Sequence, residues 1–545
     1  MKSKIFVLPL IIFSIIAYSQ QSQEEIYRKS DKYYNAKDFV NSAKEFDKIK
    51  LTNLSNVKLY NGACIYSLNN EKQKALKILD LLAFKKDYSN FKHISTDTDL
   101  KNLYTEAKWK TILEKVKSNF ENSEKTKLLK IYSELSKAKV ILEKDNGKLW
   151  GQNIWSDDIL VLDYDNTIYS LNKFPESQTA DGRLFFAKIP NETLVFVNTV
   201  QKYKGKDYAV VLSNYLSDNS TTIIHELFHL LQYKNLTLKG DAIKYLDNYD
   251  AREFLRLEYQ ALRNTLNSIN HKKSKSEISQ FLEDALRYRK IRQSKYKELL
   301  DDELQIETLE GLANYTGFKL SSKPNLYESA ISEIYNREDA QTYTRPFPYA
   351  TGVAYGLIYD YLKLNWKSGL KKVYNFLEIY ENNTNKNISV NESLIAEANK
   401  RNNFTEINRE ETDRKLTNEK NIEYYKDLLS KKPTLSVKIA DIDNYGRSFN
   451  MNGTIEVPNL GTVYSGIKGR DISGKNFGNF KTLETKSKLG EAGVLITTDN
   501  KIYFPMPFKT EDNKLIGETY EITLNKDWKV EKINEKGDYE IKKTE

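Results

Sequence analysis

The 545-residue chain predicts an α+β protein in three parts. An N-terminal region of paired helices comes first. A small sheet leading into a mostly helical second half follows, and a β domain ends the chain. Three observations predict this. Tyr34 and Ala43, and again Tyr66 and Ala75, stand nine apart, and the two pairs are offset by 32 residues, as in a helical repeat. Between Trp150 and Leu212 aromatic and β-branched residues gather in short runs, and long patterns of helical period succeed them. From Pro433 apolar and polar residues alternate between Gly and Asn turns, the two-residue period of strands.

In chain order, Met1-Lys2-Ser3-Lys4 and the apolar run Ile5 to Ala17 have the basic head and short apolar core of a secretory signal peptide. Ala17-Tyr18-Ser19 is a small-x-small cleavage site, so residues 1–19 are expected to leave and Gln20 to become the new terminus. The expected location is secreted or periplasmic. The run is shorter than the ~20 residues that span a bilayer, and no later stretch is apolar enough, so no stable membrane span is expected. Loss of Lys2 and Lys4 takes the formal charge from +9 to +7. Lys and Glu are interspersed, which argues against a nucleic-acid partner. Cys64 is the single cysteine, so no disulfide closes within the chain.

Residues 20–120 read as short paired helices. Tyr34-Asn35-Ala36-Lys37-Asp38-Phe39 and Tyr66-Ser67-Leu68-Asn69-Asn70-Glu71 each look like the turn between two helices, and Ala63 and Ala75 are small enough for close helix approach. The region resembles degenerate tetratricopeptide repeats, which implies either a protein partner or a scaffold role. Cys64 and His93 read as core and surface residues without function.

Residues 121–429 form the central unit. One further helix spans 122–144. Strands are expected at Ile159–Leu162, Leu184–Ile189, Thr193–Val197 and Tyr208–Leu212, the last an edge that an extended peptide could join. Next comes the stretch around which the chain is organised, His225-Glu226-Leu227-Phe228-His229, in an apolar run preceded by the helix-capping types Ser217-Asp218-Asn219-Ser220. On a helix, residues four apart lie on nearly one face, so His225 and His229 can reach one metal ion. Zinc takes His nitrogens at about 2.0–2.1 Å and keeps three protein ligands plus water in catalytic sites. Zinc lowers the pKa of that water, and Glu226 is placed to take its proton during attack on a carbonyl. The chain holds only four His, and two are here.

Helical patterns continue over 252–269 and 276–300. In the first, Leu257-Glu258-Tyr259 sets a carboxylate among apolar residues. A third helix carries Glu310-Gly311-Leu312-Ala313-Asn314-Tyr315, a loop follows at Arg345-Pro346-Phe347-Pro348-Tyr349, and Ala350 to Gly356 opens another helix. The first motif together with Glu310 onward resembles the gluzincin zinc metallopeptidases of the thermolysin and aminopeptidase N kind, over roughly residues 150–370. The resemblance implies a zincin-like catalytic domain with His225 and His229 as zinc ligands, Glu226 as general base and Glu310 as third ligand. It also implies a later Tyr to stabilise the oxyanion, for which Tyr349 and Tyr355 are the candidates. The 81 positions from His229 to Glu310 exceed the usual spacing, so the helices between them are expected to fold aside as an insertion. No Gly-x-Met-Glu-Asn-type motif is present, which leaves endo- and exo-action both open. Glu258, 29 positions after His229, is the other candidate ligand, or a partner orienting a ligand. Glu310 is favoured because Gly311 and Ala313 would let its helix approach the His-bearing one.

Residues 430–545 read as a separate β sandwich or small barrel. The functional expectation is a secreted zinc-dependent peptidase acting on a peptide or protein. The rival is a non-catalytic scaffold of repeats plus β domain with a structural or decayed metal site. A surface- or carbohydrate-binding role rests only on the aromatics and the β domain.

Overall fold

Ser22 opens the first helix with a capping box: its hydroxyl accepts from the Glu25 N–H, and the Glu25 carboxylate accepts from the Ser22 N–H. The computed structural model describes residues 22–544 except 181, 191–192, 217–219, 322, 324, 341, 368, 450–453, 465–466, 472–475 and 483–493. The expected signal peptide and the capping residues Ser217, Asp218 and Asn219 lie outside the described residues.

The N-terminal helices are α1 (Gln23–Asn35), α2 (Phe39–Phe46), α3 (Asn56–Leu68), α4 (Lys72–Lys85), α5 (Phe91–Thr96) and α6 (Ala107–Glu121). α1 to α3 is a step of 33 residues, as is α2 to α4. The connecting turn repeats with them. Asp38 N–H donates to Tyr33 O, Glu71 N–H donates to Tyr66 O, and Lys37 and Asn70 are both left-handed. The structural period is therefore one residue longer than the sequence offset, because the turn aligns Tyr33, not Tyr34, with Tyr66. Ala63 and Ala75 are fully buried between helices beside Phe46, Leu79 and Ile112, as their size suggested. Cys64 is buried in the same core with its thiol against Asp97, and exposed His93 lies on Tyr60.

α7 (Ser123–Asp145) begins the second core. The sheet after it comprises β1 (Ile159–Leu162), β2 (Thr167–Ser170), β3 (Gln178–Ala180), β4 (Leu184–Lys188), β5 (Thr199–Tyr203) and β6 (Lys206–Leu212), in spatial order β3-β4-β2-β1-β6-β5. β1 and β6 pair in parallel and the other pairs are antiparallel. Two expectations are corrected. Thr193–Val197 is not a strand, and Val195, Phe196 and Val197 stand exposed. Nor is β6, the strand just before the His-bearing helix, an edge. It lies between β1 and β5, and β5 holds the edge.

The His-bearing helix α8 (Thr221–Asn235) packs on β6 and β5. Alternation along the strands divides two cores. Val161, Ala209 and Val211 meet Ile224, Leu227 and Phe228 of α8 on one face, while Leu160, Leu162, Val210 and Leu212 fill the other.

The helical half contains α9 (Tyr249–Asn270), α10 (Lys275–Lys295), α11 (Leu300–Ile306), a π-helical turn (Glu307–Gly311), α12 (Leu312–Leu320), α13 (Leu326–Glu338), α14 (Phe347–Leu362), α15 (Phe376–Thr384), α16 (Glu392–Arg401) and α17 (Phe404–Lys431). Of the segment expected as a loop at 345–349, Arg345 and Pro346 form a turn and 347–349 begin α14, with Pro348 in its first turn, where a proline loses no helix hydrogen bond. Nor do α9 and α10 fold aside. They pack against each other and, with α13 and α14, complete the main core. α1 docks on α13: Glu24 and Glu25 accept from Ser332 and Tyr335, and Arg28 lies 4.2 Å from the Tyr335 ring centroid.

From Thr434 to Lys543 two sheets, of seven and six strands among the described residues, enclose a third core that includes Leu435, Phe480, Phe504, Ile522 and Trp528. Among the described residues no helix is long and apolar enough to cross a membrane.

Candidate metal centre

Helical spacing alone brings His225 and His229 together. Their Nε2 atoms are 3.0 Å apart, and the rings meet at 85°. Glu310 completes a triangle, its Oε2 lying 3.5 Å from each Nε2. Three ligands at about 2.0–2.1 Å in a tetrahedron stand about 3.3–3.4 Å from one another. The observed edges bracket that value, so His225, His229 and Glu310 fit one zinc-sized ion. Two neutral imidazoles and a carboxylate are also the donor chemistry zinc accepts.

Glu310 reaches the histidines because of the π-helical turn. In an α-helix, residues three apart differ by about 60° around the axis, and Glu307 and Glu310 would share a face. The wider π turn separates them. Glu307 points inward to Arg289, which holds both its oxygens at 2.6 and 2.7 Å, while Glu310 faces the metal helix. Two close approaches hold the turn and its neighbour in place. A Cβ on Gly352 of α14 would stand 2.3 Å from the Gly311 Cα, and a Cβ on Gly317 of α12 would stand 2.7 Å from the Thr221 carbonyl oxygen of α8. It is therefore Gly317, not Gly311, that lets α12 approach the metal helix; Gly311 serves α14.

Ser220 sits at the α8 N-cap with left-handed backbone, and its side chain makes no cap bond. Its N–H and hydroxyl both bond the buried Glu134 carboxylate of α7 at 3.2 Å. The carboxylate thus lies against the positive end of the helix.

Glu226 is buried, its Oε2 has no hydrogen-bond partner among the described residues, and its Oε1 is 4.0 Å from His225 Nε2. Burial raises its pKa, and Glu310 adds to the effect against the pull of the two histidines. A buried carboxylate oxygen without a partner is costly, and this one stands beside the three residues that could hold a metal ion. Burial works against charge on His229, but Glu310 outweighs it and holds the imidazole up at about 9. Glu310 in turn stays well below the usual carboxylate range: burial opposes its charge and the two histidines override it.

Of the two tyrosine candidates the structure brings one to the cluster. Tyr349 lies parallel to His225 at 5.7 Å between ring centroids and donates its hydroxyl to Glu310 Oε2 at 2.6 Å. Asn314 of the Glu310 motif donates to the Tyr349 carbonyl at 2.7 Å, and the Arg337 guanidinium lies 4.5 Å from the Tyr349 ring centroid. Tyr355 is elsewhere. It is fully buried and donates to Glu258 at 3.0 Å.

Glu258 is not at the metal cluster either. Its carboxylate accepts from Arg289 at 2.7 Å and Arg292 at 3.0 Å, all three side chains being fully buried. The apolar flanks did mark a buried carboxylate that needs a cation, but the cation is a pair of arginines. Arg292 also meets Glu303 at 2.6 Å. Burial, with the Glu307 charge, pushes Glu303 above the usual carboxylate range, while its two oxygens accept from Arg292, Tyr245 and Gln293. This cluster backs the π turn from behind.

Sequence reading missed two residues at the site. Gln232 joins His229 to the π turn, and Tyr233 lies against His229 at 6.2 Å between ring centroids. Their places three and four residues after His229, on the same helical face, were the available signal. The site is a His-Glu-x-x-His…Glu cluster whose His225, His229 and Glu310 could hold one metal ion. No protein-family model, curated protein or solved structure matches the chain.

Proposed function

We propose that the chain is a secreted or periplasmic zinc-dependent peptidase, with residues 20–120 and 430–545 as flanking domains of a catalytic unit at 121–429. The observation that carries the activity is Glu226: a purely structural metal site needs no base, yet here a buried carboxylate with an unpartnered oxygen stands beside three convergent ligands. His225, His229 and Glu310 would hold the ion. When bound, zinc supplies Lewis acidity toward a water molecule and a carbonyl oxygen. Glu226 takes a proton from the attacking water and passes it to the amine nitrogen as the C–N bond breaks. Tyr349, held protonated by burial and by Glu310, offers an O–H to the oxygen on which charge develops. The strand β5, at the edge of the sheet among the described residues and packed beside α8, is where an extended peptide would add.

The test is zinc content and turnover on a peptide library for the wild type and Glu226→Gln. Zinc is expected at one equivalent in both, with turnover lower in the variant by at least about 10²-fold. A wild type that binds zinc and cleaves no peptide would favour the scaffold reading. N-terminal sequencing of the exported protein is expected to begin at Gln20; an intact Met1 would refute export by cleavage.

A further inference from the structure

We infer that Gln232 is a positioning residue that sets the second histidine against the third ligand, an inference that rests on the zinc reading above. Gln232 is completely buried on α8, one turn beyond His229. Its Oε1 lies 2.8 Å from His229 Nδ1, and its Nε2 lies 2.8 Å from Thr308 O and 3.0 Å from Leu309 O. These contacts admit one orientation of the amide. Two carbonyl oxygens can receive only the NH2 group, which leaves the amide oxygen for the ring. His229 therefore carries a proton on Nδ1 toward Gln232, which leaves Nε2 as the atom that faces His225 and Glu310 and would hold the ion.

The two carbonyls belong to the residues immediately before Glu310, inside the π turn. One side chain thus ties the ring of one ligand to the backbone that carries another. Gln232 has no hydrogen-bonding capacity for a further buried partner on its NH2 group, since both donors are used. Ligand orientation by an outer hydrogen bond typically changes metal affinity about 10–100-fold.

The experiment uses the full chain labelled with ring-¹⁵N histidine; four histidines make the spectrum assignable. In chelator-stripped wild type a slowly exchanging His229 Nδ1–H resonance is expected, and in Gln232→Met it is lost. This readout needs no metal, so it decides the hydrogen bond even if the wild type takes up no zinc. With zinc, Gln232→Met is expected to bind about 10–100-fold more weakly, and with cobalt its visible spectrum is expected to change. Should Gln232→Met fail to fold, Gln232→Glu serves. It keeps the acceptor for His229 and lacks the two donors, so the resonance stays while the cobalt spectrum still changes. Persistence of the resonance in Gln232→Met, or wild-type zinc affinity and cobalt spectrum in either variant, would overturn the assignment.

Discussion

Gly311 and Gly352 meet backbone to backbone, with no room for a single methyl group between the π turn and α14. The contact puts Glu310, one residue before Gly311, and Tyr349, three before Gly352, within 2.6 Å of each other.

Gly352→Ala should therefore act at the metal site although it touches no ligand. Overpacking of this kind costs about 1–3 kcal/mol, and relief requires the π turn to move. Urea unfolding is expected to show that loss, and zinc affinity is expected to fall with it. Wild-type affinity in a folded Gly352→Ala protein would show that the turn does not depend on the glycine contact.

Glu310→Ala and Glu258→Ala are expected to fail in opposite ways. Removing Glu310 takes away a ligand and should abolish tight zinc binding with modest change in stability. Removing Glu258 leaves Arg289 and Arg292 buried without a shared carboxylate, a loss of about 3–5 kcal/mol, while the folded fraction keeps one zinc. Metal analysis and unfolding curves on the two variants separate the roles; an empty site in folded Glu258→Ala would reverse the assignment.

Tyr349→Phe removes one hydroxyl and keeps the ring on His225. If the hydroxyl stabilises the developing oxyanion, kcat should fall about 10²–10³-fold with KM little changed. If its bond to Glu310 is all that matters, zinc affinity falls instead and turnover at saturating zinc is kept. Steady-state kinetics at two zinc concentrations tell these outcomes apart.

The buried arginine cluster predicts acid sensitivity. Burial works against charge on Glu258, but Arg289 and Arg292 override it and hold its pKa below the ordinary 4.5. A depressed folded-state pKa stabilises the native form fully above the unfolded value, and the contribution is lost as pH falls through the folded one. Stability from Glu258 is therefore complete above about pH 5 and declines below about 4.5. Urea midpoints measured from pH 7 to pH 3 should fall more steeply for the wild type than for Glu258→Gln; parallel curves would exclude this contribution.

Much of the site was legible in the chain because its geometry is local. His225 and His229 converge through the pitch of one helix, and Glu226 travels with them. The order of sheet and helices followed from period, and the β domain from alternation after Pro433. Glu310 was legible as a motif but not as a position. What brings it to the histidines is a π turn, a glycine contact with α14 and the Gln232 bridge. Tertiary structure alone decided that Glu258, with its more ordinary spacing, pairs with arginines. Arg289 and Arg292 lie 31 and 34 residues further on, and their approach depends on how α9 packs on α10. The physical reason is range. Helical pitch is set by each residue's near neighbours, whereas the partner of a buried charge is chosen by whichever opposite charge the packed core brings within about 3 Å.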